Sequence, residues 1–257
     1  MMTVEEMKAL ALKMGPALSD VASSYIAPIN WTDPTTTPTV VIDHATVFFV
    51  NTGKRIFAVT ASHVYNAFLV QKAASPNIVC CIANRDFDLC TRVIADDPYV
   101  DIATFEISER EIRKIGKTVL TGSQNEWPPA PPQQGKGVFF AGYPSVARKI
   151  LGPNEIEFGI YAANTVATEV TGDLINCQFN RKEWIDHLGL GLPEENYDLS
   201  GISGAPLLTL VENDGVMSWR LGGVIYCGPR GGEEMILARS AKFICGDGSI
   251  KPFSVCN

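Results

Sequence analysis

Three residues of this 257-residue chain pair a chemically useful side chain with a telling sequence setting. His63, one of only three histidines, follows the apolar run Phe57-Ala58-Val59-Thr60-Ala61-Ser62. An imidazole just past a buried strand is where a rigid scaffold holds a general base at a cleft edge. Asp101 opens a second apolar run, Ile102-Ala103-Thr104-Phe105. A carboxylate set against an imidazole fixes its tautomer and stabilises the imidazolium that forms on proton transfer. Ser203 stands in Ser200-Gly201-Ile202-Ser203-Gly204-Ala205-Pro206, ahead of the strand-like Leu207-Leu208-Thr209-Leu210. Small neighbours allow a tight turn and the close approach of a carbonyl group. The N–H groups of Gly201 and Ser203 would then face the oxyanion of a tetrahedral intermediate. Each fragment alone has an equally good structural explanation, and Asp96 and Asp97 compete with Asp101.

These groups need a scaffold that brings together positions 38 and 102 residues apart. The composition, 46% hydrophobic and 19% charged, is that of a globular protein and excludes wholesale disorder. Twenty-two glycines and 16 prolines favour many turns and a β-rich chain. A net charge of −7 argues against a partner read through its phosphates, so no nucleic-acid partner is expected. No run approaches the ~18 apolar residues of a membrane span, and no secretory signal opens the chain, so no membrane association is expected. The seven cysteines, odd in number and without CxxC or Cys/His metal spacing, suggest reduced thiols, a cytoplasmic location and no metal.

Along the chain, Thr3 and Glu6 form a capping-box pattern ahead of Val4, Met7, Leu10, Ala11 and Met14 at helical spacing. Gly15-Pro16 is expected to interrupt that helix. Residues 1–39 are therefore assigned to an N-terminal helical extension and connector. From Val40 short strands alternate with turns, including a hairpin of 45–50 and 55–60 about Asn51-Thr52-Gly53-Lys54. Further strands are expected at 78–83, 90–95 and 102–107, and a brief helix or polar loop at 108–117. Residues 40–120 form the first module, 121–135 a Pro-rich linker, and 136–257 the second. In the second module, strands are expected at 137–141, 155–163, 165–170, 173–179, 206–211, 219–226 and 235–238. Residues 239–244 are expected to turn helical.

Taken together, the three fragments resemble the trypsin/chymotrypsin-like serine proteases. Thr60-Ala61-Ser62-His63 stands for that family's T-A-A-H, Asp101-Ile102-Ala103 for its D-I-A, and Gly201-Ile202-Ser203-Gly204-Ala205-Pro206 for its G-D-S-G-G-P, in the family's order. Gly223-Val224-Ile225-Tyr226-Cys227-Gly228 looks like the strand that lines the family's substrate cleft. The resemblance implies an all-β fold of two packed six-stranded antiparallel β-barrels. It also implies a serine endopeptidase working through an acyl-enzyme, with catalytic His63, Asp101 and Ser203 and an oxyanion hole from Gly201 and Ser203. The partner implied is a polypeptide substrate; no cofactor is called for.

The departures are informative. Ile202 stands where digestive members carry the aspartate that pairs with a newly cut N-terminus, and no Ile-Val-Gly-Gly type of start is present. That pattern is similar to the bacterial or intracellular branch, with an activating or regulatory protein, or the N-terminal helix, available to order the oxyanion turn. The alternative is a catalytically silent trypsin-like binding or regulatory module. In ungapped register Tyr197 falls at the base of the specificity pocket. Tyr226 and Gly228 fall on its wall, with Gly228 leaving room for a side chain. His44 reads as a surface or interface residue, and His187 as a solvated loop residue.

Overall fold

The computed structural model describes residues 4–35, 40–122, 126–152, 155–180, 197–213, 216–229 and 234–253; His187 lies outside them. Helix α1 (Val4–Ser24) runs through Pro16 instead of breaking there. An internal proline forfeits a backbone hydrogen bond, but tertiary packing holds the C-terminal half. Leu18, Val21, Ala22 and Tyr25 lie against an apolar cluster shared by both halves of the molecule.

The first half contains β1 (Ile26–Asp33), β2 (Val40–Asn51), β3 (Ile56–Thr60), helix α2 (Ser62–Ala74), β4 (Val79–Ile82) and β5 (Arg85–Asp86). Helix α3 (Leu89–Arg92), β6 (Val93–Asp97), β7 (Ile102–Glu106), helix α4 (Glu109–Lys114) and β8 (Leu120–Thr121) complete it. The strands run β5-β4-β1-β2-β3-β7-β6, with β8 beside β2. β2 and β3 pair antiparallel, as their hairpin pattern predicts. Their apolar runs are unbroken because both faces are buried. Val47, Phe49 and Ala58 enter one cluster with Trp31 and Phe105, while Phe48, Val50, Phe57 and Val59 enter the cluster shared with the second half.

Several expectations need correction here. The first half is an eight-stranded sheet, and among the described strands no pairing closes it into the expected six-stranded barrel. Residues 90–92, expected in a strand, are helical: the Asp88 carboxylate takes the first N–H groups of α3, and the strand begins only at Val93. β1 lies ahead of Val40; its run Ile26–Trp31 is buried throughout and shows no alternation to read. Helix α4 does form, with the Ser108–Glu111 capping box.

The second half holds β9 (Gly137–Gly142), a hairpin of β10 (Arg148–Gly152) and β11 (Glu155–Phe158), then β12 (Tyr161–Val170), β13 (Leu174–Gln178), β14 (Pro206–Asn213), β15 (Val216–Cys227) and β16 (Met235–Ser240). Six of these close an antiparallel barrel in the order β12-β13-β16-β15-β14-β9. The expected strand 155–163 is split between β11 and β12. At the break, a Cβ on Gly159 would sit 2.7 Å from the Ala147 carbonyl oxygen, so the chain turns where only glycine fits. Residues 241–243 form the expected helical turn. In the Pro-rich segment, the Trp127 indole donates to the Ile244 carbonyl at 2.8 Å. No helix among the described residues is long and apolar enough to cross a membrane.

Candidate active site

His63 is the second residue of α2, not the last of a strand. That position explains how it is held. Ala61, at the N-cap, has no side chain able to accept a hydrogen bond, so the first-turn N–H groups need another acceptor. Asp101 supplies it. Its Oδ1 accepts the His63 backbone N–H at 2.9 Å, while Oδ2 and Oδ1 lie 2.9 Å and 3.1 Å from His63 Nδ1. A carboxylate is also the favoured charge at a helix N-terminus. Because an ionised carboxylate only accepts, Nδ1 must carry the proton, which leaves Nε2 as the base.

Asp101 is itself fixed by an unusual backbone. Its φ is +59°, a left-handed conformation that aspartate tolerates better than most residues. Its N–H donates to the Asp97 carbonyl at 2.8 Å, and the Asp97 carboxylate accepts from Tyr99 and Val100 N–H groups. The Asp101 side chain is 17% exposed and that of His63 49%, so the imidazole is half exposed while its partner is sheltered.

Ser203 sits in a turn whose peptide units are almost all tied down. The carbonyl of Ser200 accepts from Ser145 N–H at 2.6 Å, that of Ile202 from Ala205 N–H at 2.9 Å, and that of Ser203 from Thr46 N–H at 3.0 Å. The Gly201 carbonyl accepts from the Thr46 hydroxyl at 3.0 Å. The N–H of Ile202 donates to Leu199 and that of Gly204 to Ile225. The N–H groups of Gly201 and Ser203 have no acceptor among the described residues. In a trans peptide C=O and N–H point in opposite directions, so these two donors face away from the groups that hold the turn.

The turn is also anchored by shape. Gly201 and Gly204 have φ of +100° and +86°. A Cβ on Gly204 would lie 2.1 Å from the Thr46 carbonyl oxygen and 2.2 Å from Thr60 Oγ1. The residue after Ser203 therefore abuts Thr60, three residues before His63. Ile202 is fully buried and packs against Gly142, Leu199 and Gly228. Where a charged residue would need a partner, an apolar side chain pins this turn to the barrel core.

The Ser203 hydroxyl donates to the Tyr226 carbonyl at 3.3 Å, and His63 Nε2 has no hydrogen-bond partner among the described residues. The structure thus joins His63 to Asp101 directly and sets the residue after Ser203 against Thr60 and Ala61, without a hydrogen bond from Ser203 to His63. Such contacts often tighten only when substrate is bound. A cavity of about 520 Å³ adjoins the His63–Asp101 pair, lined also by Asn66, Val70, Gln71 and Pro98.

The other positions read from sequence divide. Tyr226 contributes the carbonyl that Ser203 meets, and its ring lies under the Arg239 guanidinium at 4.8 Å. Tyr197 is half-buried, with its ring 5.6 Å from that of Tyr161 at the edge of the barrel core. The room expected at Gly228 is filled: a side chain there would come within 2.7 Å of Ile202 Cδ1. His44 is buried, not a surface residue. Its Nε2 lies 3.1 Å from the Tyr143 carbonyl and its Nδ1 3.4 Å from Arg148, and its ring lies tilted against that of Phe158, 5.1 Å between centroids. Burial, then the Arg148 charge, holds this imidazole below its ordinary range.

Sequence reasoning missed Thr46, whose role depends on what folds against it, and Lys117, whose ammonium meets the Ser23 carbonyl in the last turn of α1 and the Tyr143 hydroxyl. Among the described cysteines all are free thiols. Burial pushes Cys81 up to about 11 and Cys177 up to about 12, which keeps both protonated and weakly nucleophilic. No protein-family model matches the chain, and no curated protein matches it.

Proposed function

We propose that this protein is a serine endopeptidase of the trypsin-like type, cleaving a polypeptide substrate through an acyl-enzyme. The observation that carries the reading is the two-point hold of Asp101 on His63, on the backbone N–H and on Nδ1, which leaves Nε2 as a base near a tight serine turn. In this reading His63 Nε2 takes the Ser203 hydroxyl proton as Oγ bonds to the scissile carbonyl carbon. The N–H groups of Gly201 and Ser203 stabilise the oxyanion. The C–N bond then breaks, the leaving amine takes the proton from His63, and water repeats the sequence to release the acid and restore Ser203. A buried Ile202 gives the turn an anchor that needs no cut N-terminus.

The hydrogen bond from Ser203 to Tyr226 supports a second reading, a silent binding module with its nucleophile turned away from His63. Labelling with a fluorophosphonate probe separates the two. Modification of Ser203, mapped by mass spectrometry and abolished by Ser203→Ala and His63→Ala, is the expected result. A folded wild type that takes up no label refutes the endopeptidase reading and leaves the silent module.

A further inference from the structure

We infer that Thr46 is a positioning residue for the oxyanion hole, an inference that rests on the endopeptidase reading. Thr46 lies in the middle of β2 and is fully buried. Thr46 faces Pro28 across β1–β2 as a non-hydrogen-bonded pair: Phe49 N–H donates to Tyr25, which puts the odd-numbered residues of this stretch on the β1 side, and the Pro28 carbonyl turns outward to Ala83 N–H at 2.7 Å. The Thr46 backbone groups therefore point to the opposite edge, beyond the last β2–β3 pair at Phe48–Val59, where the serine turn lies.

It uses all of them. The Thr46 N–H donates to the Ser203 carbonyl at 3.0 Å, and the hydroxyl donates to the Gly201 carbonyl at 3.0 Å. The same hydroxyl accepts from Tyr143 N–H at 3.0 Å, and the Thr46 carbonyl accepts from the Thr60 hydroxyl at 2.7 Å. One residue thus fixes the carbonyls of both Gly201 and Ser203. The Gly201 carbonyl bond sets the ψ rotation of Gly201, a residue with no side chain of its own to hold its peptide planes. That bond fixes the 201–202 peptide unit and the Thr46 N–H fixes the 203–204 unit. Thr46 clamps both sides of the 202–203 unit that carries the free Ser203 N–H, while the unit that carries Gly201 N–H is held through its Ser200 carbonyl by Ser145. Pre-set donors of this kind are effective because they need no reorganisation during reaction.

The test compares Thr46→Val, Thr46→Ser and Thr46→Cys with wild type. The readouts are the second-order rate of fluorophosphonate labelling across pH 5.5–9 and the thermal midpoint. Thr46→Val should lower the labelling plateau by about 10²-fold, the scale of an ångström-level misplacement. The pH midpoint should stay in place, because His63 and Asp101 are untouched. Thr46→Ser, which keeps the hydroxyl, should restore labelling to near wild type, and Thr46→Cys, a weak donor, should fall between. If Thr46→Val does not fold, the Ser and Cys variants decide, and equal rates for those two overturn the inference. Wild-type labelling with an unchanged rate in Thr46→Val overturns the inference and leaves the endopeptidase reading standing. Wild type that is folded and unlabelled overturns the endopeptidase reading and this inference with it.

Discussion

Asp101→Asn isolates the charge that joins α2 to its catalytic-type histidine. Asparagine has the same shape and tolerates the left-handed backbone found at φ +59°, so strain is nearly constant. Loss of the charge at the α2 N-terminus costs about 0.3–1 kcal/mol. Exchanging charge-assisted for neutral hydrogen bonds to His63 costs about 1 kcal/mol more. The expected destabilisation is therefore about 1–2 kcal/mol, or roughly 2–8 °C in a chain of this size. The reactive chemistry should suffer far more. An amide that donates toward Nδ1 selects the tautomer whose Nε2 carries the proton and cannot act as base, a defect worth about 10⁴-fold in such a pair. That is about 5.4 kcal/mol in the reaction barrier against about 1–2 in the fold. The assay is the fluorophosphonate labelling rate measured beside thermal unfolding, with Asp101→Ala as a companion. Alanine adds about 1–2 kcal/mol of left-handed strain and should be the less stable of the two. Labelling of Asp101→Asn within about tenfold of wild type would refute the argument that the carboxylate fixes the tautomer.

Other perturbations test the frame around the site. Gly204→Ala places a Cβ about 2 Å from Thr46 and Thr60 and should cost more than about 3 kcal/mol, whereas Gly116→Ala, with open space at φ +73°, should cost only about 1–2; urea midpoints of the pair check this. Ile202→Val should lose about 0.5–1.5 kcal/mol and keep its labelling, while Ile202→Asp should lose both stability and labelling by burying an unpaired charge. Equal behaviour of the two variants would show that the turn is not anchored through that side chain. His44 is held below its ordinary pKa of 6.5 in the folded state, so the unfolded chain takes up its proton first as pH falls. Its contribution is present in full above about pH 6.5 and is lost below it, by at most about 1.4 kcal/mol per pH unit. Urea unfolding at pH 7.5, 6.5 and 5.5 should show a shallower pH slope in His44→Gln than in wild type, and identical slopes would refute the assignment.

Much of the site was legible in the residues themselves. The runs around His63, Asp101 and Ser203 carry their chemistry in a few contiguous positions, and the small residues at 201 and 204 announce a turn that a Cβ would block. Most strands of the barrel half were legible for a related reason, since turn residues bound them locally, whereas the pairing of β13 with β16 joins residues far apart in sequence. Local pattern failed where burial removed alternation, as in Ile26–Trp31, and where a side chain competed for backbone groups, as Asp88 does at α3. It also failed for α2. An apolar strand leading to His63 gives no sign that the histidine opens a helix, because the helix start is capped by Asp101, 38 residues away.

By itself, then, the order of amino acids determined a β-rich body, a histidine, a carboxylate and a serine turn in a set sequence, and glycines that could occupy only special backbone positions. These are consequences of side-chain type and near-neighbour sterics, which act within a few bonds. Tertiary structure alone decided the strand order of the first sheet, that Asp101 serves one histidine through two atoms, and that the backbone and hydroxyl of Thr46 meet the serine turn. It also decided that Ile202 fills the space beside Gly228 and that His44 is buried under Gly201. Each of these depends on hydrogen-bond partners and packing surfaces contributed from distant parts of the chain, and their directions exist only once the two halves are packed together.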